Sequence, residues 1–307
     1  MNICYNFGSM ILVTGGTGFI GRNLIQALVN RGERVRVLLR PSKKSPNFPK
    51  GISVEVAVSS FSDQRSLRAA LKDIDVIFHL AGAERYGAKG NLNQIDVEGT
   101  SNLLMAAKES KVSRIFYVSH LGADRGSAYP VLKAKGIAER WIINSGIPYT
   151  IFRSGVIFGE GDQFTVPFAR LLKHSPGFIF IPGDGSTLLQ PLWVDDLVTC
   201  MLLALDDSKM VNRLLSIGGI EVLSYQEVLK LIMRQIGIKR FLVPIMPQLL
   251  RLMTLWVDQL FPKFPISIFW LDQLASDRIT NLDTIPKEFN LMPSRMKNQI
   301  EYLRKTG

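Results

Sequence analysis

The sequence predicts an α/β fold with a doubly wound parallel sheet, followed by a smaller C-terminal α/β domain. Two observations carry this prediction. A Gly-rich turn joins an apolar strand to a helix near the start of the chain, and strand-like and helix-like segments then alternate up to about residue 155. Strands that alternate with helices pair in parallel through right-handed crossovers. We therefore expect a first domain over 10–158 and a smaller region over 159–307, some segments of which return to the main sheet.

The elements of the first domain follow from their apolar patterns. We expect strands where short β-branched runs occur and helices where apolar residues recur every three or four positions. The predicted strands are 10–13, 34–40, 54–58, 75–80, 114–119 and 149–153, and the predicted helices begin at 19, 66, 93 and 129. Pro130 belongs in the first turn of the last helix, because proline lacks the N–H that a helix interior needs.

The C-terminal third mixes a strand-like run at 214–217 with a helical pattern at 225–236. Segment 241–274 is unusually apolar, and four prolines break it into short pieces, so it cannot form one membrane-spanning helix. Four interpretations stay open: core packing, a cover over a substrate pocket, a docking surface for a partner, or contact with a membrane interface through Trp256 and Trp270.

The charge is unevenly distributed. Residues 1–150 hold 20 Lys and Arg against 11 Asp and Glu, a net +9 of the total +11. Such an excess suits an anionic ligand, an acidic partner or an anionic membrane surface. No nucleic acid is expected as a partner, because no basic block is interleaved with aromatic residues and no nucleic-acid module is recognisable.

The cysteines and histidines predict neither a disulfide scaffold nor a metal site. Cys4 and Cys200 lack metal-ligand spacing, and the three histidines are scattered, so each is expected to pack or to form hydrogen bonds. A reducing, cytoplasmic location is the simplest interpretation. Residues 1–9 lack the features of a signal peptide and are either a disordered leader or the product of an over-early start.

The Gly-rich turn at residues 14–21 reads TGGTGFIG. Gly15 allows a tight turn, Gly18 lets the backbone approach a pyrophosphate, and Gly21 lets helix and strand pack closely. The first turn of the following helix offers unpaired N–H groups to an anion. A purely structural turn is the alternative, but the strand–turn–helix context favours a dinucleotide. We therefore expect a Rossmann-like nucleotide-binding domain.

The second strand ends in Arg40, where an NAD-preferring fold would carry an acidic residue for the ribose 2′-OH. Ser42, Lys43 and Lys44 follow closely. A basic residue at this position suits a 2′-phosphate, so NADP(H) is preferred and NAD(H) is the second choice. A solvated basic strand end is the alternative.

Tyr129 and Lys133 form a Y-x-x-x-K pair after the fifth strand. This four-residue spacing puts both side chains on one face of the predicted helix. An ammonium group near a phenol favours the phenolate and lowers the pKa of the tyrosine towards the range of a proton donor or acceptor. A chance pair on a helix surface is the alternative.

Together these motifs resemble the short-chain dehydrogenase/reductase superfamily, in its extended and atypical branches. The matching segments are 14–21, 79–82, 97–104, 118–119, 153–159 and 190–197, with Tyr129 and Lys133. The resemblance implies Tyr129 as general acid/base, Lys133 as its electrostatic partner and Ser119 as the substrate-binding hydroxyl. Extended members usually have Ser-Ser where this chain has Ser119 and His120, so His120 is the alternative.

The resemblance also implies a nicotinamide cofactor. The expected cofactor-binding residues are Gly15, Thr17, Gly18, Phe19, Ile20, Gly21, Arg40, Leu80, Ala81, Gly82, Tyr129 and Lys133. The implied function is that of an NADP(H)-dependent oxidoreductase acting on a carbonyl, alcohol or nucleotide-sugar substrate.

Within the superfamily, segments 119–123, 147–154 and 158–164 look like the NAD(P)-binding accessory subunits of respiratory complex I and their bacterial relatives. Those subunits are thought to hold NADPH without turning it over. The alternative function is therefore that of a non-catalytic, NADP(H)-holding accessory or assembly protein, attached to a membrane complex through 241–274.

Overall fold

The computed structural model describes residues 9–42, 51–260 and 268–305, without the side chains of residues 85, 88, 89 and 258–260. Several expectations lie outside the described residues: the leader (1–8), Cys4, Lys43 and Lys44, and the part of the apolar segment that contains Pro262 and Pro265.

Thirteen strands and eleven helices occur among the described residues. The strands are β1 Met10–Thr14, β2 Arg34–Leu39, β3 Glu55–Val58, β4 Val76–His79, β5 Arg114–His120, β6 Tyr149–Ser154, β7 Ile157–Phe158, β8 Phe178–Pro182, β9 Leu188–Leu189, β10 Leu192–Trp193, β11 Arg213–Ile217, β12 Leu223–Ser224 and β13 Phe241–Ile245. The helices are α1 Phe19–Asn30, α2 Gln64–Ala70, α3 Gly99–Glu109, α4 Pro130–Asn144, α5 Thr165–His174, α6 Val194–Asp206, α7 Tyr225–Ile236, α8 Pro247–Leu260, α9 Ile268–Gln273, α10 Thr284–Phe289 and α11 Met296–Gln299. A π-helical turn, Asn93–Glu98, precedes α3.

Seven strands form the main sheet in the order β11-β6-β5-β4-β1-β2-β3. The pairs of β1 with β2 and β4, of β2 with β3, and of β4 with β5 are parallel. The chain moves outward from β1 to β3 on one side and then from β4 to β6 on the other, so the direction reverses between β1 and β4. The predicted α/β doubly wound fold is confirmed, and ligands of such sheets bind outside the carboxyl ends of the strands at this reversal.

The chain divides into two compact units. The first consists of Met1–Ala83, Asn91–Arg153 and Leu197–Leu215, and the second of Glu84–Gly90, Ser154–Asp196 and Ser216–Gly307. Most of α6 and β11 therefore belong with the main sheet. The strand-like run at 214–217, which the sequence places in the smaller region, is an edge strand of that sheet.

Each unit has its own apolar core. The first core packs sheet residues against the helices, and its fully buried members include Leu12, Ile77, Ile115, Ala138, Ile142 and Ile151. The second is rich in aromatic residues and includes Phe158, Phe164, Phe168, Val228 and Ile232. Within the second unit, β8 and β13 form a separate two-stranded parallel sheet.

Helix α7 shows how local signals set helix ends. Ser224 accepts a hydrogen bond from the N–H of Glu227, and the Glu227 carboxylate accepts one from the N–H of Ser224, which makes a capping box. Gly237 ends the helix in the left-handed conformation, with φ of 73°. The helix therefore coincides with the predicted pattern at 225–236.

Helix α4 begins one residue later than predicted. Tyr129 has extended backbone angles, φ −90° and ψ 120°, and precedes the first helical residue, Pro130. The physical reason is the proline ring, which disfavours the helical conformation in the residue before it.

Segment 241–274 contains β13, α8 and α9 in its described part. Pro247 opens α8, where its missing N–H is tolerated. None of the described helices combines the length and the apolarity needed to cross a bilayer.

Candidate functional site

The Gly-rich turn lies at the carboxyl end of β1, beside the end of β4. Gly15 has a φ of +70°, and a Cβ there would lie 2.6 Å from the backbone carbonyl of Leu80. A Cβ on Gly21 would lie 2.4 Å from the carbonyl oxygen of Gly15, and the N–H of Gly18 donates to that same oxygen at 2.8 Å. Only glycine fits at positions 15 and 21. This close packing holds the start of α1 at the carboxyl ends of the strands.

The start of α1 is suited to an anion. Gly18 is its N-cap residue, so no side chain caps the first-turn N–H groups, and that turn contains no acidic residue. Thr17, Phe19 and Ile20 are half-buried, so the turn is accessible. Unpaired N–H groups and the positive end of the helix dipole favour a phosphate here. These residues therefore fit the pyrophosphate of a dinucleotide.

A buried hydrogen-bond network ties β1 to β4 below this turn. The Thr14 hydroxyl oxygen accepts bonds from the N–H groups of Leu80 and Ala81 at 3.2 and 3.3 Å. The His79 Nδ1 lies 2.7 Å from that oxygen, and its Nε2 lies 2.9 Å from the Thr100 hydroxyl. The network holds segment Leu80, Ala81 and Gly82 beside the glycine turn, as a cofactor site at the reversal of the sheet requires.

His79 stays neutral in this network. Complete burial, with a smaller contribution from the nearby charge of Lys135, lowers the pKa of His79 to about 3. The histidine can then act as a donor at one ring nitrogen and an acceptor at the other, which matches its two threonine neighbours. It fills the hydrogen-bonding role that the sequence suggests.

The predicted residues Tyr129 and Lys133 differ in burial. Tyr129 is half-buried at the N-cap of α4, while the Lys133 side chain is exposed. The bond between the two residues is a backbone one, from the N–H of Lys133 to the carbonyl of Tyr129 at 2.9 Å. Tyr129 is the N-cap residue of α4, so its shared side-chain face with Lys133 stays a prediction.

A different lysine of α4 lies at the strand ends. Lys135 is buried, and its Nζ lies 3.2 Å from Oδ1 of Asp96 and 5.1 Å from the centroid of the Tyr117 ring. The other Asp96 oxygen accepts a bond from the N–H of Ala83 at 2.9 Å. A Cβ on Gly82 would lie 3.1 Å from Asp96 Oδ1 and 3.5 Å from Lys135 Nζ. The ion pair therefore borders the predicted cofactor segment 80–82.

Sequence reasoning missed Lys135 and Asp96, although a signal was present. The buried face of α4 includes Val131, Ala138 and Ile142, spaced as one helical stripe, and Lys135 lies in that stripe. A charged residue at a core position needs a partner, which indicates a structural or functional role.

Ser119 and His120 end β5. The Ser119 side chain is completely buried, whereas His120 is half-buried. Arg153, at the end of β6, donates three hydrogen bonds to Glu139 of α4, at 2.9, 3.1 and 2.5 Å, and this pairing raises the pKa of Arg153. Arg153 is thereby committed to an ion pair with α4.

Arg40 is exposed directly after β2. On the next strand, Phe61 follows β3 and packs edge-on against His79, with ring centroids 5.7 Å apart. Phe61 also limits the space at Gly99, where a Cβ would lie 3.1 Å from its ring. The nearby strand ends thus combine a cationic side chain with an aromatic one.

The described residues contain no group of three or more His, Cys, Asp or Glu side chains arranged to hold a metal ion.

Comparisons with known proteins agree with a nucleotide site. A family model described as NAD(P)H-binding matches residues 15–169. The chain is 28% identical to NADH dehydrogenase [ubiquinone] 1 alpha subcomplex subunit 9 of Arabidopsis thaliana, over 96% of this chain and 77% of that protein. It is 25% identical to 2-alkyl-3-oxoalkanoate reductase of Stenotrophomonas maltophilia, over 92% of this chain and 94% of that protein.

A solved structure shares the fold. UDP-glucose 4-epimerase of Thermotoga maritima superposes with a TM-score of 0.72 at 20% identity, covering 97% of this chain and 98% of that one.

Proposed function

The chain belongs to the NAD(P)H-binding family, and on that premise we propose that it is an NADP(H)-dependent oxidoreductase of the short-chain type, acting on a carbonyl, alcohol or nucleotide-sugar substrate. The observation that carries the proposal is the turn at Gly15–Gly21, whose close packing presents the start of α1 at the reversal of the sheet. The similarity to a protein named as a reductase over nearly the full length of both chains supports the same class of chemistry.

In this proposal the cofactor pyrophosphate binds the N–H groups of Phe19 and Ile20 in the first turn of α1, and the backbone of Thr17 and Gly18 lies against it. Segment Leu80–Ala81–Gly82 borders the cofactor, because Thr14 holds it beside the glycine turn. The bound nicotinamide supplies or accepts the hydride, and the chain supplies position and proton transfer.

The preference for NADP(H) over NAD(H) rests on Arg40. Its guanidinium follows β2, the strand end at which the adenosine ribose lies in doubly wound folds. Titration of the purified protein with NADPH and NADH tests this. Arg40→Ala should weaken NADPH binding about tenfold or more, the scale of one charge-assisted contact, and leave NADH binding unchanged. Equal weakening of both cofactors would exclude a 2′-phosphate contact.

Tyr129 is the proposed proton donor or acceptor, and Ser119 the proposed substrate-binding hydroxyl. Tyr129→Phe should abolish turnover and leave NADPH affinity nearly intact, because only the hydroxyl is removed. Turnover at the wild-type rate would remove this tyrosine from the mechanism.

Lys133 and Lys135 are both candidates for the cationic partner of Tyr129. Lys133 has the expected spacing from Tyr129, whereas Lys135 lies beside Gly82 in its pair with Asp96. Conservative Lys→Arg exchanges at each position, followed by NADPH titration and a pH–rate profile, distinguish them. The lysine that serves the site should shift the alkaline limb of the profile, and the other should not.

A second candidate function is a cofactor-holding accessory or assembly protein. The observation that favours it is the exposed position of Lys133, together with the pairing of the buried Lys135 with Asp96. Similarity to a protein named as a respiratory-complex subunit supports it. In this case the chain acts in the cytoplasm at a membrane periphery, attached through 241–274.

One purification distinguishes the two functions. The oxidoreductase should oxidise NADPH with at least one carbonyl or nucleotide-sugar substrate. The accessory protein should retain NADPH that no such substrate oxidises, and should co-fractionate with a large membrane complex.

A further inference from the structure

The second unit exposes a sheet surface rich in aromatic residues. Strands β8 and β13 pair in parallel, with Phe178 opposite Phe241 and Phe180 opposite Val243. Because side chains alternate along a strand, these four residues share one side of the sheet, while Ile179 is buried in the core. Phe241 is 81% exposed, and the rings of Phe178 and Phe180 contact each other with centroids 5.3 Å apart. We call this surface the aromatic face.

Helix α8 carries a second exposed apolar surface. Leu249, Leu252, Met253 and Trp256 follow the spacing i, i+3, i+4, i+7, so they form one stripe along the helix. All four are exposed, Trp256 to 67%, whereas Thr254 on another side of the helix is buried. An amphipathic helix of a globular unit normally turns such a stripe towards the core. Here the apolar stripe faces outward.

The two surfaces are close together. Only Met246 separates the end of β13 from the start of α8, and this methionine is also strongly exposed. Helix α8 contacts β8 and α9 within the same unit. The two surfaces therefore adjoin within one unit. Contiguous exposed apolar area of this kind indicates an interaction site.

Basic residues outnumber acidic ones around these surfaces, and Asp184 and Asp258 flank the two segments that form them. Segments 163–183 and 237–257 contain no Asp or Glu, and their basic residues are Arg170, Lys173, Lys239, Arg240 and Arg251. Lys239 is exposed, and both it and Arg240 directly precede Phe241. Arg240 donates to the carbonyl of Leu172 and to the Ser175 hydroxyl, which holds its guanidinium beside the end of α5. Arg251 is paired with Asp272 at 3.3 Å.

We propose that the aromatic face and the α8 stripe dock the second unit on an anionic lipid bilayer. Trp256 enters the headgroup region, where amphipathic aromatic residues concentrate, Phe241 inserts with the other apolar side chains, and Lys239 approaches the lipid phosphates. The combination of outward apolar side chains with an excess of basic residues favours an anionic lipid surface over a protein partner. The inference deepens the attachment through 241–274 proposed above, and it does not depend on whether the cofactor is consumed.

Vesicle flotation tests the proposal with the full chain saturated with NADPH. We expect the protein to float with vesicles of phosphatidylcholine and phosphatidylglycerol, to bind pure phosphatidylcholine vesicles much more weakly, and to lose binding as salt is raised. No association with the anionic vesicles, or equal association with both types, would overturn the proposal.

Matched variants locate the contact. Trp256→Ser should weaken vesicle binding about tenfold, because one large apolar side chain no longer enters the interface. Trp141→Ser on α4, which removes a tryptophan that is also about half exposed, should leave binding unchanged. Lys239→Gln should weaken binding about fivefold, while Lys209→Gln, at an exposed lysine outside the two surfaces, should have no effect. Equal losses within either pair would contradict the assignment of the surface.

A second copy of the chain or a membrane protein at these surfaces would give different results. A wild-type dimer that Trp256→Ser dissociates, measured by light scattering, would assign the surface to a second copy of the chain. Binding to a purified membrane complex but not to protein-free vesicles would assign it to a protein. NADPH affinity measured without vesicles should be the same in Trp256→Ser and the wild type, so a failure of the cofactor proposal stays distinguishable from a failure of this one.

Discussion

Helices α4 and α8 depart from the usual amphipathic pattern in opposite directions. Helix α4 buries two charged side chains, Lys135 and Glu139, and each has a charged partner, Asp96 for the first and Arg153 for the second. Helix α8 exposes the apolar stripe that a helix normally buries. The buried charges of α4 form ion pairs within the chain, whereas the apolar side chains of the α8 stripe face outward.

A buried charge and an exposed apolar stripe point to different kinds of site. A buried charge is costly unless it is paired, so its partner must be within the same fold and the pair marks an internal site. An exposed apolar residue costs the folded chain little, so a stripe of them points to something outside it. The ion pair beside Gly82 therefore supports the proposed cofactor site, and the α8 stripe supports the proposed interaction surface.

The largest effect should come from breaking the buried pair. Lys135→Met leaves the Asp96 carboxylate buried without its cation, and we expect a loss of about 3–5 kcal/mol in the free energy of unfolding, measured by urea denaturation. Lys133→Met, which removes an exposed lysine two residues away, should change it by less than about 0.5 kcal/mol. The double variant Lys135→Met with Asp96→Asn should recover part of the loss. A small effect of Lys135→Met would contradict a buried, energetically coupled pair.

A smaller effect should appear in the pH dependence of stability. Since the folded pKa of His79 is about 3 against an ordinary 6.5, the unfolded chain binds a proton below pH 6.5 that the folded chain does not. This group should therefore lower the free energy of unfolding by about 2 kcal/mol between pH 6.5 and 5, with further loss towards pH 3. In His79→Asn that contribution should be absent, so the two unfolding curves should converge as the pH falls. A constant difference between the variant and the wild type would refute a neutral buried histidine.

The smallest effect should come from the α8 stripe. Leu252→Ala truncates an exposed side chain and should change the free energy of unfolding by less than about 0.5 kcal/mol. The same measurement on Ile142→Ala, a truncation at a completely buried position of α4, calibrates the scale, with an expected loss of about 2–5 kcal/mol. A loss of several kcal/mol from Leu252→Ala would mean that the stripe packs within the fold and is not an interaction surface.

Several features could be predicted from sequence because they depend on neighbouring residues. The capping box at Ser224 and Glu227 marks the start of α7, and Gly237 marks its end. The glycines of the first turn imply close packing, and the Cβ positions at Gly15 and Gly21 leave no space for another residue. The apolar character of 241–274 is equally plain in the sequence, although its outward orientation is not.

The position of the lysines could not be predicted in the same way. Lys133 and Lys135 are two residues apart on one helix, and only one can lie on its buried side. The spacing from Tyr129 favours Lys133, but Pro130 holds Tyr129 outside the helix. The partner of Lys135 is Asp96, which lies 39 positions earlier in the chain.

The sequence by itself determined the α/β class, the strand–turn–helix motif and the ends of α7, because local backbone preferences and apolar periods encode them. The tertiary structure decided which lysine meets Asp96 beside Gly82, that β11 joins the main sheet, and that the α8 stripe faces outward. These outcomes depend on contacts between segments far apart in the chain, and a local pattern carries no information about which distant segment will cover a given face.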